Sequence, residues 1–481
     1  MDHHVTLASL APALPEIWLA TAACIVLLVE AFAGDAARRI IPTLTLALLG
    51  LGAAATLAWA QVDAPTVLFS GMYVADPLGT VLKLLSFLFV AVALLYSRPA
   101  LQARGLLKGE YYVLVLTALL GICVMVSAGS LLSVYIGVEL LALSLYALVA
   151  FDRDSGVAAE SAMKYFVLGA IASGCLLYGM SLVYGMTGTL LLGEIGAVLQ
   201  GEPSLGVIMG IVFLVVGIAF KFGAVPFHMW VPDVYHGAPS PVTLFVASAP
   251  KIASFALAYR LLVDGLGGVT PAWTQMIAIV AVLSALVGNL VAIAQTTLKR
   301  MLAYSAIGNV GFILLGFVAG TERGYEAALY YTIVYVVMAL GSFGVIVLAS
   351  RRGFEADELE HYKGLHARDP LLAVLMMVMM FSTAGIPPFV GFWAKLQIFE
   401  ALWASGHLPL VVFGAAVSVI GVFYYLRVVK FMYFDAPGDL PVPERHTGVR
   451  LTLALNAAAV LALGLFPQAL LELCQRVLGA G

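Results

Sequence analysis

The stretch KFGAVPFHMWVPDVYHGAPSP, residues 221–241, decides how this chain is read. It follows fifteen apolar or glycine residues, 206–220, which on their own look like the start of a membrane-spanning helix. Into that run it brings Lys221, a Gly–Ala–Val–Pro interruption at 223–226, and His228 and His236. Proline removes a backbone donor and clashes with the preceding turn, so the helix must break there. Charge and broken backbone at the depth of lipid need a reason.

The surroundings are apolar enough for the question to be real. Of the 481 residues, 62% are hydrophobic and 11% charged, where soluble domains have roughly 45–50% and roughly 25%. The net charge of −3 carries no basic excess for nucleic acid. Cys24, Cys123, Cys175 and Cys474 stand singly in apolar segments, with no C-x-x-C and no His/Cys cluster. That pattern argues against iron–sulfur, haem c or zinc sites. No glycine fingerprint opens a helix after a strand and no G-x-x-x-x-G-K-[ST] occurs, so no NAD or ATP site is recognisable. Residues 1–13 lack the basic start of a signal peptide, and the apolar segment after them is too long for its core. It reads as a retained transmembrane helix.

A crossing takes about 20 apolar residues. Fourteen spans are expected, near 14–34, 39–60, 78–97, 110–128, 130–151, 160–186, 206–235, 240–263, 274–294, 300–320, 324–350, 370–404, 409–434 and 450–474. The fold is therefore an all-α polytopic membrane protein, since backbone in lipid must be satisfied within each segment. Alternating ten-residue strands, which a barrel needs, are missing. One set of loops holds Arg38, Arg39, Arg98, Arg104, Lys108, Arg153, Lys299, Arg300, Arg351, Arg352, Lys363, Arg368, Lys430, Arg445 and Arg450. The other holds little beyond Arg260, Arg323 and Arg476. The rich set is cytoplasmic, so an even count puts both termini in the periplasm of a bacterium.

Two spans, 206–235 and 370–404, are too long, and each is interrupted, by GAVPF at 223–227 and GIPPF at 385–389. Each reads as two half-helices joined by unwound backbone, buried in protein or lining a wet cavity. The breaks lie about 160 residues apart, and spans four to eight overlay spans nine to thirteen with that offset. Five is odd, so the second copy starts from the opposite side. The expected organisation is an N-terminal three-helix segment (1–109), a first five-helix repeat (110–264), an inverted second repeat (265–434) and a C-terminal helix (435–481). Paired broken helices in inverted repeats point to an ion-transport site.

Ionisable residues inside spans cost roughly 2.5–3.5 kcal/mol each and face the bundle interior. Glu139 and Lys251 lie mid-span, Lys221 just before the first break and Lys395 shortly after the second. Lys164, about one turn into its span, admits two readings, a snorkelling surface lysine or a relay member. Lys83, near the start of its span, reads as snorkelling. Lys299, beside Arg300, is equally an orientation signal or a transport residue. His228 and His236 could be ordinary buried histidines, with His228 the stronger functional candidate. Burial disfavours the charged form of lysine and a nearby carboxylate favours it. Moving Glu139 relative to Lys221 would make the lysine take or release a proton. Arginine would stay charged, and histidine titrates near neutrality. These residue types at this depth have the composition of a proton wire.

The runs YFVLGAIASG, KFGAVPFHMWVPDVYHGAPSPVTLFVASAPKIASF, TLKRMLAYSAIGNVGFILLG and GIPPFVGFWAKLQIF resemble the antiporter-like membrane subunits of respiratory complex I, along nearly the whole chain. LPEIWLA at 14–20 and Tyr-x-Gly-Ala-Pro-x-Pro-Val-Thr resemble that family's subunit N branch. A lysine in the second broken helix, where chain M typically has glutamate, favours the same branch. So does a chain stopping at Gly481 without the long lateral helix of chain L. The resemblance implies a proton channel carried by Glu139, Lys221, Lys251 and Lys395, with Lys164, His228 and Lys299 at accessory positions. It further implies no cofactor in this chain, with FMN, iron–sulfur clusters and quinone held by partner subunits. The implied partners are membrane-arm subunits, especially chain M and the small chain K, in a bacterial inner membrane, and no nucleic acid. A cation/proton antiporter subunit of the multisubunit sodium/proton type is the alternative; copurifying partners would discriminate.

Overall fold

The computed structural model describes residues 7–60, 65–350, 354–437 and 446–479. Two helices, α1 (Leu14–Phe32) and α2 (Ala37–Ala58), lead into a small antiparallel hairpin of β1 (Thr66–Leu68) and β2 (Tyr73–Ala75). Then come α3 (Pro77–Ala103), α4 (Gly109–Val126), α5 (Leu131–Val149), α6 (Gly156–Thr187) and the short α7 (Leu192–Val198). The first broken helix is α8 (Leu205–Phe222) with α9 (Trp230–Gly237). Next are α10 (Ser240–Ala247) and α11 (Pro250–Ala258), which continues as a π-helical turn over Tyr259–Gly265. The second copy follows: α12 (Thr270–Ala294), α13 (Leu298–Val318), α14 (Glu322–Ala349) and the one-turn α15 (Leu365–Arg368). The second broken helix is α16 (Pro370–Ala384) with α17 (Val390–Ala404). The chain closes with α18 (Leu408–Phe434), α19 (Thr447–Leu465) and α20 (Gln468–Leu478).

Among the described residues, 13 helices are long and apolar enough to cross a membrane. The fourteenth expected span is the α16–α17 pair, whose halves are each 15 residues. The bundle has an inside and an outside. Of the most apolar stretch in each crossing, 94% is buried for Ser240–Gly265 and for α13, and 89% for α14, against 28% for α18 and for α19. Between lipid-soluble helices there is little hydrophobic drive to associate, so small residues bring backbones together. A Cβ on Gly121 would lie 2.6 Å from the Leu141 nitrogen, and one on Gly288 2.3 Å from the Gly308 nitrogen. Those contacts clamp α4 to α5 and α12 to α13.

Several expectations need correction. The last span, read as 450–474, ends at Leu465, because Pro467 stops the helix and begins the separate, amphipathic α20. The span read as 240–263 is interrupted at Ser248 and Ala249. Lys83 does not snorkel: it is buried, its Nζ is 2.6 Å from Glu16 Oε1, and it donates to Tyr73 Oη at 2.8 Å. Arg260 is no loop residue either. It is buried between Asp76 (2.6 Å) and Asp264 (2.8 Å) and donates to the Val126 carbonyl. Asp264 is four residues on in the same helical turn, but Glu16, Tyr73, Asp76 and the Val126 carbonyl come from other elements, so sequence alone could not pair them. Arg351, Arg352 and Arg445 lie outside the described residues.

Candidate functional site: two broken helices capped by lysines

At the first break, Gly223 enters the left-handed region with φ +75°, and a Cβ there would meet Val231 at 2.4 Å. Its N–H donates to Phe220 (2.9 Å) and that of Ala224 to Ala219 (2.7 Å), the crossed pair that ends a helix at glycine. The remaining polar backbone finds side chains from elsewhere. Ser254 Oγ donates to the Lys221 carbonyl (3.1 Å), Trp230 Nε1 to that of Phe220 (3.1 Å), and Lys251 Nζ to that of Phe222 (2.7 Å). The Val225 N–H donates to Ser284 Oγ (2.8 Å). Buried backbone must be paired, and here α9, α11 and α12 do it.

The second break repeats this, with counterparts 162 positions on (222 to 384, 223 to 385). Gly385 has φ +85°; its N–H donates to Ser382 (2.9 Å) and that of Ile386 to Phe381 (3.0 Å). Lys395 Nζ donates to the Ala384 carbonyl at 2.9 Å. In both copies a buried lysine thus caps the last carbonyl of the first half-helix, where the helix dipole is negative. The lysines come from different places: Lys251 from α11, Lys395 from the second half of its own broken helix.

Lys221 and Lys251 line one small cavity of about 20 Å³ with Ser254, Tyr165 and Trp230, and a water needs roughly 10–15 Å³ and polar partners. Lys221 Nζ reaches the Val138 carbonyl at 3.4 Å. Glu139, the next residue, acts on it electrostatically; among the described residues it forms no ion pair within 4.0 Å and its buried Oε1 has no hydrogen-bond partner. Lys395 lies 5.4 Å from the centre of the Phe312 ring and faces a cavity of about 260 Å³.

The other candidates sit apart. Lys299 is buried, donating to the Ala238 carbonyl (3.3 Å) and standing 4.0 Å from Glu355. Burial would push the Glu355 carboxyl up, but Lys299, Arg104 and Ser240 outweigh it and hold it at about 2. Lys164 is exposed and pairs with Glu160 and Asp233, both at 2.9 Å; Asp233 also binds Arg300 at 2.9 Å. His228 lies in the unwound segment, half-buried, with its ring beside the Pro226 backbone. His236 is half-buried, 4.0 Å from Asp357. The structure therefore joins Lys221 to Lys251, with Glu139 in electrostatic reach, and puts Lys395 at the second break. Lys299 and Lys164 stand at the Lys/Arg-rich ends of their helices. Sequence reasoning missed Ser254, Tyr165, Trp230 and Ser284. A lone hydroxyl in the apolar run AVLSALV was the one signal for Ser284. Among the described residues no group of three or more His, Cys, Asp or Glu could hold a metal.

The family described as NADH:quinone oxidoreductase/Mrp antiporter, TM, matches residues 128–421, more than half of the chain. A relative from Thiobacillus denitrificans, named NADH-quinone oxidoreductase subunit N, is 52% identical over 481 residues, covering 100% of this chain and 99% of its own. One of the same name from Acidithiobacillus ferrooxidans is 54% identical over 465 residues, 96% of each chain. A chain of respiratory complex I from Thermus thermophilus with bound aureothin superposes with a TM-score of 0.81 at 32% identity, over 95% of this chain and 98% of that one. A chain of the Mrp complex from Dietzia shares the fold, with a TM-score of 0.86 at 23% identity over 99% and 97%. Matched along its whole length by such relatives, this chain belongs to the NADH:quinone oxidoreductase/Mrp antiporter family of membrane subunits, in its subunit N branch.

Proposed function

We propose that this chain carries protons across the bacterial inner membrane as a subunit of NADH:quinone oxidoreductase. Protons exchange among Lys221, Lys251 and Lys395, with Glu139 as the counter-charge that biases Lys221. The observation that carries this reading is the repeated geometry of the two breaks. In each, a buried lysine donates to the last carbonyl of a half-helix, at 2.7 Å for Lys251 and 2.9 Å for Lys395. A single bond to a carbonyl leaves the amine without a fixed counter-ion, which suits a group that must both hold and release a proton. The cavity shared by Lys221 and Lys251 supports water-mediated exchange between them. His228, half-buried beside the break, is an accessory member of the relay. Lys299 and Lys164 act at the cytoplasmic ends.

In this reading 110–264 and 265–434 are the two inverted repeats, and both termini are periplasmic. Redox centres (FMN, iron–sulfur clusters) and the quinone site belong to partner subunits. Lys395, facing an outward-opening cavity, and Glu139 would face neighbours on opposite flanks; chains M and K are the partners proposed there. Lys221→Arg and Lys221→Ala test the reading in the assembled complex. Arginine keeps the charge but cannot release the proton. Both variants should lose coupled proton pumping. Full pumping by an assembled Lys221→Arg variant would leave Lys221 a static counter-charge.

A further inference from the structure

The segment that carries Lys251 is a short rod with irregular backbone at each end. It begins at Pro250, after Ser248 leaves helical geometry with φ −112° and ψ −97°. After nine α-helical residues, all buried, it widens into the π-helical turn Tyr259–Gly265. Toward its start, Lys251 and Ser254 donate to the Phe222 and Lys221 carbonyls of the first break. Toward its end stands Arg260, a buried cation outside the relay.

The guanidinium of Arg260 is held from three sides. Its Nε and Nη2 donate to the Val126 carbonyl, where α4 ends, at 3.0 and 2.9 Å. Nη2 also donates to Asp76 at 2.6 Å, and Nη1 to Asp264 at 2.8 Å. Asp76 is itself fixed, because its other oxygen accepts the Gly79 N–H at 2.6 Å and so caps α3. A buried charge has to be paired, and a structural ion pair between helices is the plain reading. Two observations go beyond it. The clamp falls on the π-helical turn itself, and such turns are rare and frequent at functional sites. It also reaches the N-terminal three-helix segment through Asp76, a segment that supplies no member of the relay.

We infer that Arg260 is a positioning residue: clamped between Asp76 and the end of α4, it holds the α11 rod in the register that puts the Lys251 amine against the Phe222 carbonyl. The inference rests on the reading of Lys251 as a proton carrier. A π-helical and an α-helical turn of the same residues differ by about one residue of register, about 1.5 Å and about 100°. A hydrogen bond tolerates only about 0.5 Å in length. If the turn tightened, Lys251 and Arg260 could not both keep their partners. The clamp opposes that change, and the N-terminal helices act on proton transfer by holding it.

The test uses the assembled complex in inverted membrane vesicles, at matched complex content, and reads NADH-driven acidification over a series of pH values. Arg260→Lys keeps the charge but loses the fork that reaches three partners. Asp76→Asn keeps the shape and an oxygen for α3 and leaves Arg260 paired with Asp264, so it reports if Arg260→Lys fails to assemble. Both should lower pumping about tenfold or more, since a misplacement of about 1 Å costs on the order of 10²-fold, and both should move its pH profile. Asp264→Asn, which leaves the bonds to Asp76 and Val126, should keep the profile. The double variant Glu16→Gln/Lys83→Met removes a different buried ion pair of the N-terminal segment and should leave the profile in place. Unaltered rate and profile in Asp76→Asn would overturn the inference. So would a loss of pumping with the profile unmoved, or a profile moved equally by Glu16→Gln/Lys83→Met, since either is what a generally loosened fold produces. Normal pumping by Lys251→Met would instead remove the relay reading, and the inference with it.

Discussion

Replacing Lys251 by methionine removes an amine while keeping the length of an apolar stem. In the structure that amine makes one protein hydrogen bond, to the Phe222 carbonyl at 2.7 Å. Bonds from charged donors contribute about 1.5–3 kcal/mol and neutral ones about 0.5–1.5 kcal/mol. Lys251→Met should therefore cost about 1.5–3 kcal/mol, because the carbonyl is left unpaired beside a cavity of one-water size. A lysine that has released its proton still has two N–H groups. It keeps the bond and forgoes only about 1–1.5 kcal/mol, the difference between a charged and a neutral donor. This bond therefore holds the side chain in place in both protonation states. Lys251→Arg stays charged, and its guanidinium needs more room than about 20 Å³ supplies. Loss of a positioned proton-transfer group typically costs about 10²-fold or more in rate, so both variants should lose most coupled pumping. The assay is acidification of inverted membrane vesicles driven by NADH, with assembly followed on native gels and stability by thermal unfolding of the purified complex. An assembled Lys251→Met complex that pumps at the unaltered rate would refute the reasoning.

Lys83→Met should destabilise the chain by about 3–5 kcal/mol, since it leaves the buried Glu16 carboxylate without its counter-charge, although Tyr73 Oη still donates to it at 3.0 Å; adding Glu16→Gln should recover much of that loss in thermal unfolding, and a fully additive double variant would argue against the pair. Glu355, held at about 2 against an ordinary value of 4.5, contributes stability that is complete above the ordinary value and is lost as pH falls from there through about 2. Amide hydrogen exchange over 354–358 should accordingly rise below about pH 4.5, and Glu355→Gln should abolish that acid dependence; an unchanged profile in the variant would contradict the assignment. In a chain with its own four cysteines replaced by serine, cysteines introduced at 2 and 480 should react with an impermeant reagent in intact spheroplasts, and one at 360 should not. The reverse pattern would invert the proposed orientation.

Much was determined by the sequence alone. An apolar run of about 20 residues has few alternatives to a membrane helix, since unpaired backbone in lipid is too costly. The spans, their helical nature and both breaks were readable for that reason: GAVPF and GIPPF interrupt runs too long for one crossing, and α8–α9 and α16–α17 separate there. Glu139, Lys221, Lys251 and Lys395 stood out because an ionisable residue deep in a span needs a reason to be there.

Pairing was decided only by the tertiary structure. Lys83 read as a surface lysine, and its partners Glu16 and Tyr73 lie 67 and 10 positions away. Arg260 read as a loop charge until α3 and α4 brought Asp76 and the Val126 carbonyl against it. How far Glu139 stands from Lys221 was not readable either: it acts on the lysine through the field, while the Lys221 amine reaches the neighbouring Val138 carbonyl at 3.4 Å. The capping of Phe222 by Lys251 and of Ala384 by Lys395 was likewise invisible, because one lysine comes from another helix and the other from beyond the break. Hydropathy and helical period report how deep a side chain lies along its own helix. Which helix faces it depends on how the bundle packs, through close approaches such as Gly121 of α4 against α5 and Gly288 of α12 against α13, and only the folded chain brings those surfaces together.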